Sequence, residues 1–271
     1  MGGTIGLFAG EGDLSVEIAR RLSERGSPPQ VFSFREDPSS LEKWALEVTK
    51  IGSASAGELL ERLRARGVKK LVLAGFVPKG LIFRPDLLDD DLRRVLSSLP
   101  SRDDHSLLGG IVSFFESRGV TVLSYRDIIP ELLAPEGVIA GRRPRPDEEE
   151  DILYGLRIAG ALVPLSFGQT VVVRGRSVVA VEAMEGTDET IQRAGSISGG
   201  GVVVKLMRPD QDERYDIPVV GPGTLAKMHE AGLRCLAVEA GRTIVLGGEG
   251  FRERAEVWEI AVTGVVPVPS S

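Results

Sequence analysis

Two polar clusters in the second half of the chain follow directly on apolar runs, and together they have the composition of a phosphate site. The run 177–183 leads into Glu185-Gly186-Thr187-Asp188. The run 202–207 carries Lys205 and leads into Asp210-Gln211-Asp212-Glu213-Arg214-Tyr215-Asp216. Thr187 reads as the N-cap of a short helix with Asp188 and Glu189 in its first turn. A lysine on an apolar strand is costly to bury unless it meets an anion, and a helix start offers uncompensated N–H groups to one. Carboxylates beside such a pair suit a divalent cation bridging to phosphate.

Any metal must be held mostly by oxygen, because the chain has two histidines, His105 and His229, and one cysteine. That is too little for a histidine-rich zinc centre, and no Ser-His-Asp arrangement is signalled. Hard cations such as magnesium, with manganese or cobalt as substitutes, take one or two protein carboxylates and leave the rest of the shell to phosphate and water. Asp216 is the first candidate, as catalytic group and as ligand, since it ends the polar loop and the Ile217-Pro218 that follows fixes its backbone. Asp188 and Asp212 are the next ligands, and Asp188 and Lys205 join Asp216 as catalytic candidates. The structural alternatives, a helix cap for Asp188 and a solvated loop residue for Asp212, stay open at this point.

The first half offers a different chemistry. Gly10-Glu11-Gly12 stands between a strand-like run and a helical one, as a dinucleotide fingerprint would, but Ser15 occupies the third glycine position. Glu36 could then serve as ribose acceptor, so a nicotinamide or flavin oxidoreductase is one alternative. A glycine turn that lets a diphosphate or sugar approach the backbone is the other. Gly75-Phe76-Val77 ends a second strand in the same way.

The elements that position these residues follow from periodicity. Short apolar runs at 4–9, 30–34, 70–73 and 120–123 alternate with amphipathic runs at 14–24, 56–66, 87–99 and 107–118, the pattern of a parallel sheet wrapped by helices. The fold class is α/β: a Rossmann-like N-terminal domain over 1–131, a linker over 132–149 rich in proline and arginine, and a second, mixed α/β catalytic domain over 150–271. The acidic run 147–151 is expected to open a helix reaching residue 162, with Arg142, Arg143 and Arg145 either solvated or available to phosphate. The second domain is expected to be strands with glycine-rich turns and few helices. Gly199-Gly200-Gly201 is expected to connect strands rather than bind phosphate, and Arg242 to serve a turn. Cys235 should be buried, and His229 should lie on a helix surface.

Composition excludes some partners. A net charge of −6 gives no general reason to bind nucleic acid or an anionic membrane. No apolar stretch approaches the roughly 18 residues of a spanning helix and no leader is visible, so a cytoplasmic protein is expected.

In order along the chain, Gly6-Leu7-Phe8-Ala9-Gly10-Glu11-Gly12, Leu73-Ala74-Gly75-Phe76-Val77, Gly168-Gln169, Val181-Glu182-Ala183, Glu185 to Asp188, Lys205 with Pro209, Gln211 and Asp212, Asp216-Ile217-Pro218, Gly221 to Thr224 and Val238-Glu239-Ala240-Gly241 are similar to one family's motifs. The chain resembles the UDP-2,3-diacylglucosamine pyrophosphatases of lipid A biosynthesis, in the version unrelated to calcineurin-like phosphoesterases. The resemblance implies hydrolysis of UDP-2,3-diacylglucosamine to UMP and 2,3-diacylglucosamine 1-phosphate, with substrate held between the two domains and Asp216 in catalysis. The proline- and charge-rich linker from Ala134 to Pro146 leads to the expectation that the domains close on it. It implies substrate contacts from Gly10, Glu11, Gly12, Gly75, Phe76, Val77, Gln169, Glu185, Gly186, Thr187, Thr224 and Glu239. Of Asp103 and Asp104, one matches the family's acidic pair. A diacylated substrate further implies transient contact with the inner-membrane surface, with Phe76, Val77, Leu81, Ile82 and Phe83 as apolar contacts, and a homo-oligomer is compatible with all of this. A non-catalytic nucleotide-sugar or lipid carrier remains the alternative outside enzymes.

Overall fold

The computed structural model describes residues 3–51, 55–76, 88–99 and 104–267. The chain forms two compact units: Met1–Pro130 with Asp212–Asp216, and Glu131–Gln211 with Ile217–Ser271.

The first unit is a parallel sheet of β1 (Ile5–Ala9), β2 (Gln30–Ser33), β3 (Glu47–Lys50), β4 (Lys70–Ala74) and β5 (Thr121–Val122), in the order β3-β2-β1-β4-β5. Helices α1 (Asp13–Glu24), α2 (Ser39–Glu42), α3 (Ala56–Ala65), α4 (Asp90–Ser98), α5 (Asp104–Glu116) and α6 (Tyr125–Ile128) accompany it. Leu7, Val31, Phe32, Leu71 and Val72 are fully buried, as strands covered on both faces must be. Leu59, Leu60 and Leu63 of α3 share a core with Phe32, Leu71 and Leu73 and with Val112 and Phe115 of α5. Ser55 caps α3, its Oγ accepting from the Glu58 N–H at 2.9 Å. Asp89 caps α4 through the Leu92 N–H at 2.8 Å and also accepts from Ser55 Oγ and the Gly57 N–H, so one carboxylate ties two helix starts together.

A segment from far along the sequence completes this unit. The Glu213 carbonyl accepts from the Tyr125 N–H, the Glu213 carboxylate is forked by Arg126 at 2.9 and 3.2 Å, and Arg214 reaches Glu116 at 2.8 Å. The acidic loop expected to belong to the second domain therefore packs on α5 and α6 of the first unit from Asp212 to Asp216.

The second unit has a six-stranded sheet, β6-β13-β11-β9-β7-β8, from β6 (Gly137–Ala140), β7 (Thr170–Arg174), β8 (Ser177–Val181), β9 (Val202–Lys205), β11 (Cys235–Glu239) and β13 (Ala261–Val265). A parallel pair is formed by β10 (Val219–Val220) and β12 (Ile244–Val245). Strands β9, β11 and β13 run parallel, and β7 runs antiparallel to β9 and to β8. Alternation divides the faces. Val171, Val173, Val202, Val204, Cys235 and Ala237 pack with Ile152 and Ala159 of α7 (Pro146–Leu162). Val172, Val203, Leu236 and Val238 pack with α8 (Thr187–Ser198), α9 (Pro222–Glu230) and α10 (Gly248–Val257) through Ile191, Ala194, Leu225, Met228 and Phe251.

Four helices among the described residues correct the expectation of few helices here. Gly199 is the left-handed C-cap of α8, so the glycine triplet begins by ending a helix. The stretch 132–149, read as a linker, contains the edge strand β6, and its Pro146 is the first residue of α7, a position where a fixed φ and a missing N–H cost nothing. Arg142 forks Glu148 at 2.6 and 2.7 Å, and the Arg145 N–H donates to Glu148 at 2.8 Å.

Burial would raise the Glu148 carboxyl, but these donors outweigh it and hold it below the usual range. Its contribution is full above the unfolded carboxylate pKa and is lost as pH falls through the depressed folded value. Glu148→Gln should cost about 1–3 kcal/mol at neutral pH, discounted for the partly exposed Arg142, with the deficit shrinking in acid. Thermal unfolding of both proteins across pH 3 to 7 checks this, and a deficit that grows on acidification contradicts it.

Candidate active site

In the first unit, the carboxyl ends of β1 and β4 lie side by side at the point where the strand order reverses, the place where open α/β sheets bind ligands. The Gly10 N–H donates to the Ala74 carbonyl, and Glu11 and Phe76 exchange two backbone hydrogen bonds of 2.8 Å. The two turns approach so closely that a Cβ on Gly75, which also has φ 90°, would meet the Gly10 carbonyl oxygen at 2.6 Å. One on Gly10 would meet the Phe76 oxygen at 2.6 Å. These glycines thus have a packing role whatever they bind. Gly12 caps α1 without a side-chain partner, and Arg35 donates to the Gly12 and Gly10 carbonyls at 2.6 and 3.3 Å. Ser15, at the third glycine position, is buried and donates to the Gly10 carbonyl at 3.1 Å. Glu11 accepts from the Glu36 N–H at 2.8 Å.

Asp216 lies at this same end of the unit. Its N–H donates to the Asp212 carbonyl at 2.8 Å, and its side chain is half-buried. Burial, with the Asp216 charge adding to it, pushes the Tyr125 phenol up, and the Tyr125 hydroxyl donates to the Leu73 carbonyl near the end of β4. Tyr215 is pushed up to about 12 by burial and the Asp212 and Asp216 carboxylates. Asp212 is gripped by Arg214 at 2.6 to 3.0 Å and by the Arg214 N–H at 2.9 Å, a structural hold on the loop.

In the second unit, the site is the sheet edge where β8, β9 and β11 end and β7 begins. Thr170 is in register with Lys205. The α8 N-cap is Gly186, at φ 85°, and not Thr187, which corrects the sequence expectation. Thr187 is therefore the first helical residue, and its hydroxyl is used elsewhere. It accepts from Lys205 Nζ at 2.7 Å, donates to Glu182 Oε1 at 3.1 Å and lies 3.4 Å from Thr170 Oγ1. Lys205 and Glu182 are 6% and 7% exposed. Burial pulls the Lys205 ammonium down from the ordinary lysine range, opposed by the Glu182 and Asp188 carboxylates. Asp188 is exposed in the first turn of α8. Gln169 supplies an N–H to Glu182 at 3.4 Å, and its side-chain carbonyl is buried with no partner.

Other predicted contacts are occupied within the fold. Glu185 accepts from Arg193 at 2.5 Å and from the Ala183 N–H at 3.2 Å, which orders the loop before α8. Thr224 Oγ1 accepts from the Gly221 N–H at 3.3 Å and caps α9. Glu239 holds the Met207 N–H at 2.8 Å and Arg242 at 3.2 Å, so Arg242 does serve a turn. His229 is exposed on α9 and stacks on Trp258, and Cys235 is buried. Phe76 is 58% exposed, whereas Val77, Leu81, Ile82, Phe83 and Asp103 lie outside the described residues. Glu182 was absent from the predicted site. Its signals in the sequence were its place in the Val181-Glu182-Ala183 motif and a carboxylate set into the apolar run 177–183.

The three predicted metal ligands divide between the units, Asp212 and Asp216 in the first and Asp188 in the second, and no group of three His, Cys, Asp or Glu forms a metal-binding cluster among the described residues. The donor chemistry still fits a hard cation that takes one or two carboxylates, through Asp188 or Asp216, with Asp212 committed to Arg214.

Fold and site together define an α/β protein whose second unit buries an ammonium group beside a hydroxyl and a helix start, an arrangement for gripping an anion. The sequence matches the family profiles described as LpxI N-terminal domain over residues 4–132 and LpxI C-terminal domain over 135–263. It is 31% identical, over 97% of this chain and 98% of the relative, to the UDP-2,3-diacylglucosamine pyrophosphatase LpxI of Caulobacter vibrioides. The chain belongs to the LpxI family.

Proposed function

We propose that this protein hydrolyses the pyrophosphate of UDP-2,3-diacylglucosamine, with water adding to one phosphorus and the bridging oxygen leaving on the other, to give UMP and 2,3-diacylglucosamine 1-phosphate. The observation that carries the reading is family membership along the whole chain, including the stretch that buries Lys205. The Lys205 ammonium and the first N–H groups of α8 stabilise charge on the phosphate oxygens as the bond breaks. Asp216 orients the attacking water, and the partnerless Gln169 carbonyl accepts from a donor on the substrate. Asp216 of the first unit or Asp188 of the second would hold a divalent cation, magnesium or in its place manganese or cobalt, which polarises a phosphoryl group and lowers the pKa of water when bound.

Two acyl chains on the substrate require exchange with a lipid surface, and the exposed Phe76 is an apolar contact for it. No helix among the described residues is long and apolar enough to cross a membrane.

Purified protein incubated with UDP-2,3-diacylglucosamine should release UMP, lose turnover in EDTA and regain it with excess magnesium. Ligand retained unchanged would identify a carrier instead, and turnover indifferent to EDTA would remove the metal.

A further inference from the structure

We propose that Glu182 is a positioning residue for this reaction, holding Lys205 against the start of α8 through the Thr187 hydroxyl. The inference rests on the pyrophosphatase reading above. Three residues from three elements form one chain of donors and acceptors. Lys205 ends β9, Thr187 opens α8, and Glu182 directly follows β8. Lys205 Nζ donates to Thr187 Oγ1 at 2.7 Å and Thr187 donates onward to Glu182 Oε1 at 3.1 Å, so the direction of the bonds is fixed by chemistry: an ammonium only donates and a carboxylate only accepts. The second Glu182 oxygen takes the Gln169 N–H at 3.4 Å, which ties the carboxylate to the beginning of β7.

A carboxylate this deeply buried is expensive without a charge to answer. The fold supplies one in Lys205, equally buried and on the same face of the sheet, since Thr170, in register with Lys205, also lies near Thr187. With two of its three protons left for a ligand, the ammonium is held at one spot instead of sweeping its four-carbon stem. The position of Gly186 as N-cap supports this reading. The cap position that threonine commonly fills is given to glycine, and the threonine hydroxyl is spent on the lysine and the carboxylate.

A merely structural Glu182, stabilising the start of α8 by its charge, would act independently of Lys205, and a double-mutant cycle separates the two. Rates for wild type, Glu182→Gln, Lys205→Met and the double variant should be measured in single-turnover mode, with unfolding midpoints alongside. Glu182→Gln is expected to lower the rate about tenfold or more, and the double variant to be no slower than Lys205→Met within roughly twofold. Glu182→Asp should recover part of the loss. Effects that multiply, or a Glu182→Gln protein with a lowered midpoint and an unchanged rate, overturn the proposal. If Glu182→Gln does not fold, Thr187→Val takes its place in the cycle, with Thr187→Ser expected to be faster than Thr187→Val. A wild-type protein that fails to release UMP would instead sink the pyrophosphatase reading, so the two failures are distinguishable.

Discussion

Asp216→Ala is expected to lower kcat by about a thousandfold or more while the protein unfolds within a few degrees of wild type, because a residue acting on the attacking water has no substitute in the site. Its N–H bond to the Asp212 carbonyl is a backbone bond and survives truncation. The loop is fastened by neighbours, with Arg214 bound to Asp212 and Glu116 and Arg126 bound to Glu213, so the carboxylate can be removed without releasing the segment. One structural effect is anticipated. Losing the Asp216 charge should lower the Tyr125 phenol, leaving it still raised by burial, which a tyrosine absorbance titration can read. Asp216→Asn, which preserves shape, should be nearly as inactive. A variant with wild-type kcat at saturating magnesium removes Asp216 from the mechanism.

What made Asp216 legible was its local setting, a carboxylate before Ile-Pro at the end of a polar loop. What was not legible was the body it belongs to. Arg214 and Glu116 are 98 residues apart, and Arg126 and Glu213 are 87 apart. No periodicity within the loop reports such partners, so the segment was assigned to the domain that surrounds it in sequence. The first sheet was readable because its strands are buried on both faces and appear as unbroken apolar runs, as in Lys70–Ala74. Its edge strand Glu47–Lys50 was missed because an edge keeps charged residues at both ends and shows no such run.

The second unit shows a different limit. Thr187 has the residue type of an N-cap and acidic residues after it, yet Gly186 takes that position, and the threonine hydroxyl is engaged between Lys205 and Glu182. Tertiary bonding displaced a local preference worth, for threonine over glycine, only about a few tenths of a kcal/mol. Lys205 was legible for the converse reason, since an isolated charge on an apolar strand demands a partner. The partner was found only in three dimensions.

Lys205→Met should therefore lower kcat about a hundredfold to a thousandfold, the usual cost of removing one donor to a developing oxyanion. Stability should move separately from activity. Methionine fills the space of the lysine stem but leaves the buried Glu182 without the charge it answers, so the single variant should unfold at a lower temperature than wild type. Adding Glu182→Gln removes that unanswered charge, and the double variant should regain stability while regaining no turnover. The pH dependence follows the same residue. Catalysis needs the ammonium, whose pKa is pulled below the ordinary lysine range by burial, so turnover should fall on the alkaline side earlier than a solvent-exposed lysine would lose its proton. Lys205→Arg keeps the charge throughout that range and should be slower at neutral pH but free of the alkaline decline. If Lys205→Met retains wild-type kcat, or if the double variant is the least stable of the set, Lys205 and Glu182 do not form the charged pair that this geometry implies.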